Sequence, residues 1–213
     1  MTRTFFITGT GTEVGKTYVA ARLVSELTKF GSVVALKPYE TGVDREAVDA
    51  KALAEASNSN EYHNGYLRAP EPLAPAAVKG GAPPMADILQ RLEADRQGKD
   101  FAVVEGAGGI LVPLGSGHVV ADVITALEAT AVLVTYDGLG TLSHTLTAWE
   151  SARSRGIRIG AVVLNAGACE TDPSQASNAH VLSDYGVGPI IKIARGHTDF
   201  TELVQTLKVE SPS

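Results

Sequence analysis

Cysteine is almost absent from this sequence. Cys169 is the single cysteine among 213 residues, so the chain cannot close an internal disulfide. The five histidines are scattered, and no Cys/His cluster has the spacing of a zinc site. These absences exclude a disulfide-stabilised fold and a structural zinc module.

The sequence also lacks a long hydrophobic run. No apolar stretch approaches the roughly 18 residues that a membrane-spanning helix needs. The N-terminus carries one arginine and a short apolar run that leads directly into a glycine-rich loop, so we interpret it as a first strand rather than a cleaved signal. We therefore expect no membrane association and a cytoplasmic location.

The sequence has fewer basic than acidic residues. Lysine and arginine total 18 against 24 aspartates and glutamates, for a net charge of -6. A nucleic-acid surface needs clustered cations to neutralise phosphates, and the sequence shows no such cluster. We expect no nucleic-acid partner, and a small anionic ligand would have to be bound by a few well-placed cations.

Short β-branched runs alternate with segments of helical periodicity along the chain. Strands are predicted over 4–8, 32–37, 100–106, 130–136, 158–165 and 188–193, and helices over 16–30, 45–56, 85–96, 141–154, 174–185 and 199–207. This alternation indicates an α/β fold, a mostly parallel sheet with helices on both faces. The length suits a single domain, residues 1–213. Residues 62–84 hold five of the ten prolines and are predicted to form a largely irregular loop.

The loop after the first strand, GTGTEVGKT (9–17), resembles a phosphate-binding loop with one irregularity. The usual pattern G-x-x-x-x-G-K-[ST] would place a glycine at Thr10, whereas here glycines flank that position. In a strand–loop–helix context, Lys16 would reach the β- and γ-phosphates and the Thr17 hydroxyl would bind Mg²⁺. A plain strand-to-helix turn is the alternative. A dinucleotide-binding fingerprint misses the glycine spacing by one residue.

Three further charged residues are candidates for the same site. Glu105 ends a predicted apolar strand and precedes a glycine-rich GAGG, which suits a metal-binding carboxylate; a surface glutamate is the alternative. Lys37 ends the second predicted strand, where it would face the same crevice as Lys16, or else lie on the surface. From spacing alone, Asp49 is better explained as a residue that stabilises a helix N-terminus.

Taken together, these features resemble the dethiobiotin synthetases, enzymes of biotin biosynthesis. The family's phosphate loop shows the same one-residue offset between its glycines. The resemblance covers most of the chain and rests on TGTGTEVGKT (8–17), KPYETG (37–42), VDAKAL (48–53), EPLAPAAV (71–78), VVEGAGG (103–109), DGLGTLSHT (137–145) and LNAG (164–167).

The resemblance implies a P-loop ligase that uses ATP and Mg²⁺ and works as a homodimer. In this family, 7,8-diaminopelargonate takes up CO₂ as a carbamate on one amine. The γ-phosphate of ATP then moves to the carbamate, and the second amine closes a cyclic urea.

Site residues follow from the same resemblance. The catalytic lysines are Lys16 and Lys37. The nucleotide is expected to contact Glu13, Val14, Gly15, Lys16, Thr17, Tyr18, Gly106, Ala107, Gly108, Asn165, Ile193, Ala194 and Arg195. The magnesium ligands are expected to be Thr17, Asp49 and Glu105, which gives Asp49 a role that spacing did not favour. The diamine is expected to contact Thr41 and, from the partner chain, Leu139, Gly140, Thr141, Leu142 and Ser143.

Two positions depart from the family pattern, and two related classes compete with it. Ser143 stands where the family has Asn, and Ala194 stands where many members have Pro. The alternative function is a deviant P-loop ATPase switch of the partitioning or cell-division type, but the lysine near the start of that loop is missing here. A glutamine-using amidating enzyme would need a further domain with a catalytic cysteine, and Cys169 lies in an unrelated polar loop.

Overall fold

The computed structural model describes residues 1–43, 47–59, 66–167 and 172–210. Cys169 and His63 lie outside the described residues. In chain order the strands are β1 (Arg3–Gly9), β2 (Val33–Leu36), β3 (Tyr39–Thr41), β4 (Leu67–Ala69), β5 (Phe101–Gly109), β6 (Pro113–Gly115), β7 (His118–Val119), β8 (Thr130–Tyr136), β9 (Ile159–Asn165) and β10 (Ile190–Ile193).

Six of these strands form the main sheet, in the order β10-β9-β8-β1-β5-β2, and every neighbouring pair is parallel. The prediction of a mostly parallel α/β sheet is confirmed. Two small sheets lie outside it, a parallel pair of β3 with β4 and an antiparallel pair of β6 with β7.

The helices are α1 (Lys16–Leu27), α2 (Val48–Ala56), α3 (Met85–Arg96), α4 (Val120–Ala126), α5 (Thr141–Ser154), α6 (Asn178–Asp184) and α7 (Thr201–Thr206). They cover both faces of the sheet because successive side chains of a strand point in opposite directions. Phe5 and Ile7 pack with residues of α1, α2 and α7 on one face, whereas Phe6 packs with residues of α3, α4, α5 and α6 on the other.

The predicted elements match the observed ones with a few differences. Helix α4 and the short strands β3, β4, β6 and β7 were not predicted. The described part of the proline-rich segment is mostly irregular, with only β4 and a single 3₁₀ turn at Pro75–Ala77. The helix predicted over 174–185 divides into a 3₁₀ turn, Pro173–Ala176, and α6. No helix in the described part of the chain is long and apolar enough to cross a membrane.

The order of the strands determines where a ligand can bind. Strand β1 lies at the centre, between β5 and β8, and the chain leaves it toward α1 through the glycine-rich loop. The carboxyl ends of all six parallel strands lie along one edge of the sheet. In open α/β sheets ligands bind in the crevice at this edge, where the strand order reverses.

Candidate active site

Gly15, the last glycine of the loop after β1, has a backbone conformation that strongly favours glycine. Gly15 lies directly before α1 with φ of 92°, in the left-handed region. A Cβ atom at this position would come within 2.1 Å of the Asn165 amide nitrogen. The loop backbone therefore passes close to the end of β9, and the first N–H groups of α1 are left for a ligand rather than for a side-chain cap.

Lys16 is buried at the start of α1, with 7% of its surface exposed. Its ammonium donates a hydrogen bond of 2.8 Å to the carbonyl of Gly11, so the side chain folds back along the loop. Burial, and then the positive charge of Lys37, lower the pKa of Lys16 to about 8. A phosphate group would supply the negative charge that this buried lysine needs.

Lys37 connects two carboxylates from different elements. Its ammonium lies 2.5 Å from Oε1 of Glu105 within β5 and 2.9 Å from Oδ2 of Asp49 on α2. It also donates a 3.4 Å hydrogen bond to the carbonyl of Gly106. Burial by itself lowers the pKa of Lys37, but the two carboxylates outweigh this effect and raise the pKa above its ordinary value. Lys37 is therefore a buried lysine beside the phosphate loop whose charged form is stabilised by two carboxylates.

One carboxylate oxygen of Glu105 has hydrogen-bond partners, and the other has none. Oε1 accepts a 2.9 Å hydrogen bond from the Thr17 hydroxyl as well as the contact with Lys37. Oε2 is buried without a partner. Burial raises the pKa of Glu105, and Lys37 opposes that rise. An unpartnered buried oxygen in a charged cluster is a place where a cation would be stabilised.

The three predicted magnesium ligands are close together in this cluster. Thr17 contacts Glu105 directly, and Asp49 is linked to Glu105 through Lys37. Hydroxyl and carboxylate oxygens are the donors that Mg²⁺ prefers, with phosphates and water completing its octahedron. No group of three His, Cys, Asp or Glu side chains suited to a metal is found among the described residues. The set fits an ion that is held jointly by protein and nucleotide.

A cavity of about 520 Å³ opens beside this cluster. Pro72 and Pro75, from the proline-rich segment, form one wall. Predicted site residues make up much of its lining: Glu13, Gly15, Lys16, Thr17, Lys37, Thr41, Asp49, Glu105, Ala107 and Gly108. The fold thus brings together residues from the loop, the start of α1, β3, α2, β5 and the position directly after β2.

Two buried residues with polar groups in this cavity were missed by sequence reasoning. Tyr39 and Glu40 lie between Lys37 and Thr41, and both are buried. Burial raises the pKa of Tyr39 to about 12, and its hydroxyl has no hydrogen-bond partner. Glu40 accepts a 2.8 Å hydrogen bond from the backbone N–H of Asp49. Both residues lie inside KPYETG (37–42), between the predicted site residues Lys37 and Thr41, and this position could have identified them as candidates.

The residues predicted for the nucleotide base lie at the carboxyl ends of β9 and β10. The Asn165 amide donates to the carbonyl of Val14 at 3.0 Å and accepts from the N–H of Gly167 at 3.1 Å. Ile193 is buried at the end of β10, and Ala194 and Arg195 follow it in an exposed loop. The Tyr18 hydroxyl donates to the carbonyl of His197 in the same loop, and its ring contacts Phe200 edge-on. Tyr18 therefore attaches this loop to α1.

The segment 139–143 is not part of the cavity lining within one chain. Leu139 is 87% exposed, and its N–H donates to Asp172 at 2.9 Å. Gly140 precedes α5 with φ of 92°. The side chain of Thr141 is buried and donates to the carbonyl of Tyr136, while Ser143 is exposed. The segment is held firmly and presents Leu139 and Ser143 outward.

Solved structures of related fold belong to several nucleotide-binding proteins. The septum site-determining protein MinD of Pyrococcus horikoshii, solved with Mg-ADP, aligns over 98% of this chain and 86% of its own, with a TM-score of 0.55 and 21% identity. A ParA family ATPase from Chlorobium tepidum aligns over 97% and 88%, with a TM-score of 0.55 and 15% identity. At these identities the likeness shows the P-loop fold alone.

Sequence comparison is more specific. A protein-family model described as an AAA domain matches residues 3–193. The ATP-dependent dethiobiotin synthetase BioD of Rhodococcus erythropolis is 36% identical over 95% of this chain and 93% of its own. Those of Bacillus velezensis and Methanocaldococcus jannaschii are 34% and 33% identical, over 90% and 92% of this chain and 85% and 95% of their own. The chain belongs to the ATP-dependent dethiobiotin synthetase family.

Proposed function

We propose that this protein closes the cyclic urea of dethiobiotin from 7,8-diaminopelargonate and CO₂, with ATP as the phosphoryl donor, in the cavity beside the phosphate loop. The observation that carries the proposal is the pair of buried lysines in that cavity. Lys16 belongs to the loop, and Lys37 is fixed by Glu105 and Asp49. The volume of about 520 Å³ lies within the usual range for small-molecule sites, roughly 300–1,000 Å³. One domain, residues 1–213, would carry all of these functions.

The two lysines would act at different stages. Lys16 and the loop N–H groups bind the β- and γ-phosphates in the ground state. An oxygen of the carbamate attacks the γ-phosphorus, the bond to the β-phosphate oxygen breaks, and ADP leaves. Lys37 neutralises the charge that develops on the transferring phosphoryl group. The second amine then attacks the carbonyl carbon of the mixed anhydride, inorganic phosphate leaves, and the amine loses a proton.

Thr17, Asp49 and Glu105 would hold a magnesium ion in this site. The unpartnered Oε2 of Glu105 and the all-oxygen donor set support this assignment. When bound, Mg²⁺ would reduce the negative charge of the ATP phosphates. The protein side chains would fix the position of the ion relative to Lys37.

The diamine would lie between two subunits. Thr41 lines the cavity and would contact its amines. Residues 139–143 lie outside that lining, which supports a site completed by the same segment of a partner chain. The N–H groups at the start of α5, after Gly140, suit the substrate's carboxylate. A two-fold homodimer would build two such sites from one pair of surfaces.

A phosphate-release assay tests the proposal. Inorganic phosphate should appear from ATP only when both 7,8-diaminopelargonate and bicarbonate are present, together with an equal amount of dethiobiotin detected by mass spectrometry. Omitting either substrate is the control. A nucleotide switch of the partitioning type would hydrolyse ATP at the same rate with or without them, and that result would overturn the proposal.

A further inference from the structure

Glu40 is a buried carboxylate to which neither the phosphate loop nor the predicted metal set assigns a role. Only 4% of its surface is exposed, and it lines the cavity beside Thr41. One carboxylate oxygen, Oε2, has no hydrogen-bond partner. Burying a charged group with an unsatisfied oxygen is unfavourable, so the position of Glu40 calls for an explanation beyond packing.

The other oxygen of Glu40 contacts the backbone of a predicted metal ligand. Oε1 accepts a 2.8 Å hydrogen bond from the N–H of Asp49. Asp49 lies in the first turn of α2, where an N–H group has no acceptor within the helix. The residue that precedes the helix, Ala47, has no side chain that could cap it. Glu40, which lies on β3, therefore takes the place of an N-cap residue: it accepts a hydrogen bond from an N–H group in the first turn of α2.

This contact restrains the backbone that carries the Asp49 carboxylate. The Oδ2 atom of Asp49 is 2.9 Å from Lys37, and its side chain is 34% exposed, so few other contacts restrain it. A hydrogen bond to a charged acceptor is shorter and stronger than a neutral one. The negative charge of Glu40 also stabilises the N-terminal end of the α2 dipole. The first turn of α2 is thus attached to the strand that carries Thr41.

We infer that Glu40 is a positioning residue, which holds Asp49 in place to bind the metal and links the metal site to the diamine side of the cavity. The inference rests on the proposed function, because it requires Asp49 to be a metal ligand. Glu40 acts through the Asp49 backbone chiefly as an acceptor oxygen, and its charge adds a smaller contribution. A glutamine at this position, whose amide oxygen can accept the same N–H, should therefore replace it.

Two variants and one control test this inference. Glu40→Ala removes the acceptor, whereas Glu40→Gln keeps it without the charge. Asp122→Ala is a matched control, because Asp122 accepts the N–H of Val119 at 2.8 Å before α4, and neither residue lines the cavity. Amide hydrogen exchange at Asp49, followed by NMR, reports the contact itself. Binding of Mn²⁺ with a non-hydrolysable ATP analogue, followed by electron paramagnetic resonance, reports the metal site without turnover.

We expect Glu40→Ala to accelerate exchange of the Asp49 amide and to weaken Mn²⁺ binding, each by roughly tenfold or more, the factor that corresponds to one charge-assisted hydrogen bond. Glu40→Gln should stay within about threefold of wild type in both measurements, since it loses the charge but keeps the bond. Asp122→Ala should lower the melting temperature and leave Mn²⁺ binding unchanged.

The opposite outcomes are distinguishable. Normal Mn²⁺ binding by Glu40→Ala would overturn the inference while leaving the proposed function intact. Equal loss in Glu40→Ala and Glu40→Gln would show that the charge itself is required and would also overturn it. Wild-type protein that binds no Mn²⁺ with the nucleotide analogue would remove the metal site from the proposed function, and the inference with it.

Discussion

Lys37 and Glu105 form a buried ion pair, with 2.5 Å between the ammonium and Oε1 and less than 5% of either side chain exposed. The two residues are 68 positions apart in sequence; Lys37 directly follows β2 and Glu105 lies within β5, and these strands are parallel neighbours. Because a buried charge needs a partner, each member of the pair stabilises the charged form of the other. The chemistry of Lys37 and the stability of the fold are therefore coupled.

Replacement of Lys37 should affect turnover more than nucleotide binding. Lys37→Ala should lower kcat by roughly 10²–10³, the loss expected for one charge stabiliser of the transition state, with little change in the dissociation constant of ATP. Steady-state kinetics and equilibrium titration measure the two effects. Normal turnover by Lys37→Ala would exclude a role in phosphoryl transfer.

The same variant should be less stable, because it leaves Glu105 as an unpaired buried carboxylate, which costs about 3–5 kcal/mol. Mg²⁺ with a non-hydrolysable ATP analogue should restore much of the loss, since the ion would neutralise the same carboxylate. Thermal unfolding with and without the ligand measures this. Lys29→Ala is the control, because its partner Glu26 belongs to a surface pair. A Lys37→Ala protein as stable as wild type without ligand would contradict the coupling.

Lys16 should make ATP binding depend on pH. In the free protein its pKa is about 8, against an ordinary value of 10.5, and bound phosphates should raise it again. Below about pH 8 the lysine is already protonated, so binding takes up no proton there. Above about pH 8 binding requires proton uptake, and affinity should fall by up to about tenfold per pH unit.

Calorimetry in buffers of different ionisation enthalpy measures that proton uptake directly. About one proton should be taken up per ATP near pH 9, and none in Lys16→Met, which should also bind ATP much more weakly. Proton uptake that is the same in both proteins would exclude Lys16 as its source.

Glu105→Gln should raise the Mg²⁺ concentration needed for half-maximal activity. The substitution keeps the shape of the side chain and removes the charge that faces the proposed ion, so the affinity for Mg²⁺ should fall by roughly tenfold or more. Circular dichroism should show an intact fold. An unchanged Mg²⁺ titration would remove Glu105 from the metal site.

Tyr18 should affect the binding of ATP but not the chemistry. Tyr18→Phe keeps the ring contact with Phe200 and removes the hydrogen bond to the carbonyl of His197. The loop that carries Ala194 and Arg195 would then be less firmly held. We expect the KM for ATP to rise about 2- to 10-fold with kcat unchanged, the effect of one neutral hydrogen bond. A fall in kcat at constant KM would contradict this role.

Shared sites should allow two inactive variants to complement each other. Lys37→Ala affects the cavity, and Ser143→Trp would block the segment donated by the partner; Ser143 is exposed on α5, so a large side chain does not strain the backbone as it would at Gly140. Refolding an equal mixture should yield about half mixed dimers, each with one intact site, and so roughly a quarter of wild-type activity. Mixed dimers without activity would show that each site is built within one chain.

The amino-acid sequence by itself was enough to predict the α/β class, the six strands of the main sheet and the phosphate loop. These follow from local patterns: β-branched runs, helical periodicity, and glycines around Lys16 and Thr17. Helix α4 was missed because VADVITA (120–126) is a short apolar run, and periodicity alone cannot tell such a run from a strand.

Only the tertiary structure decided how the charged residues meet. Spacing alone favoured a helix-stabilising role for Asp49, and Glu40 was not singled out. The fold places Asp49 beside Lys37 and Glu40 against the Asp49 backbone, because the carboxyl ends of parallel strands meet at one edge of the sheet and α2 packs beside them. The low pKa of Lys16 likewise depends on burial and on the distance to another charge, which are properties of packing between segments far apart in the chain.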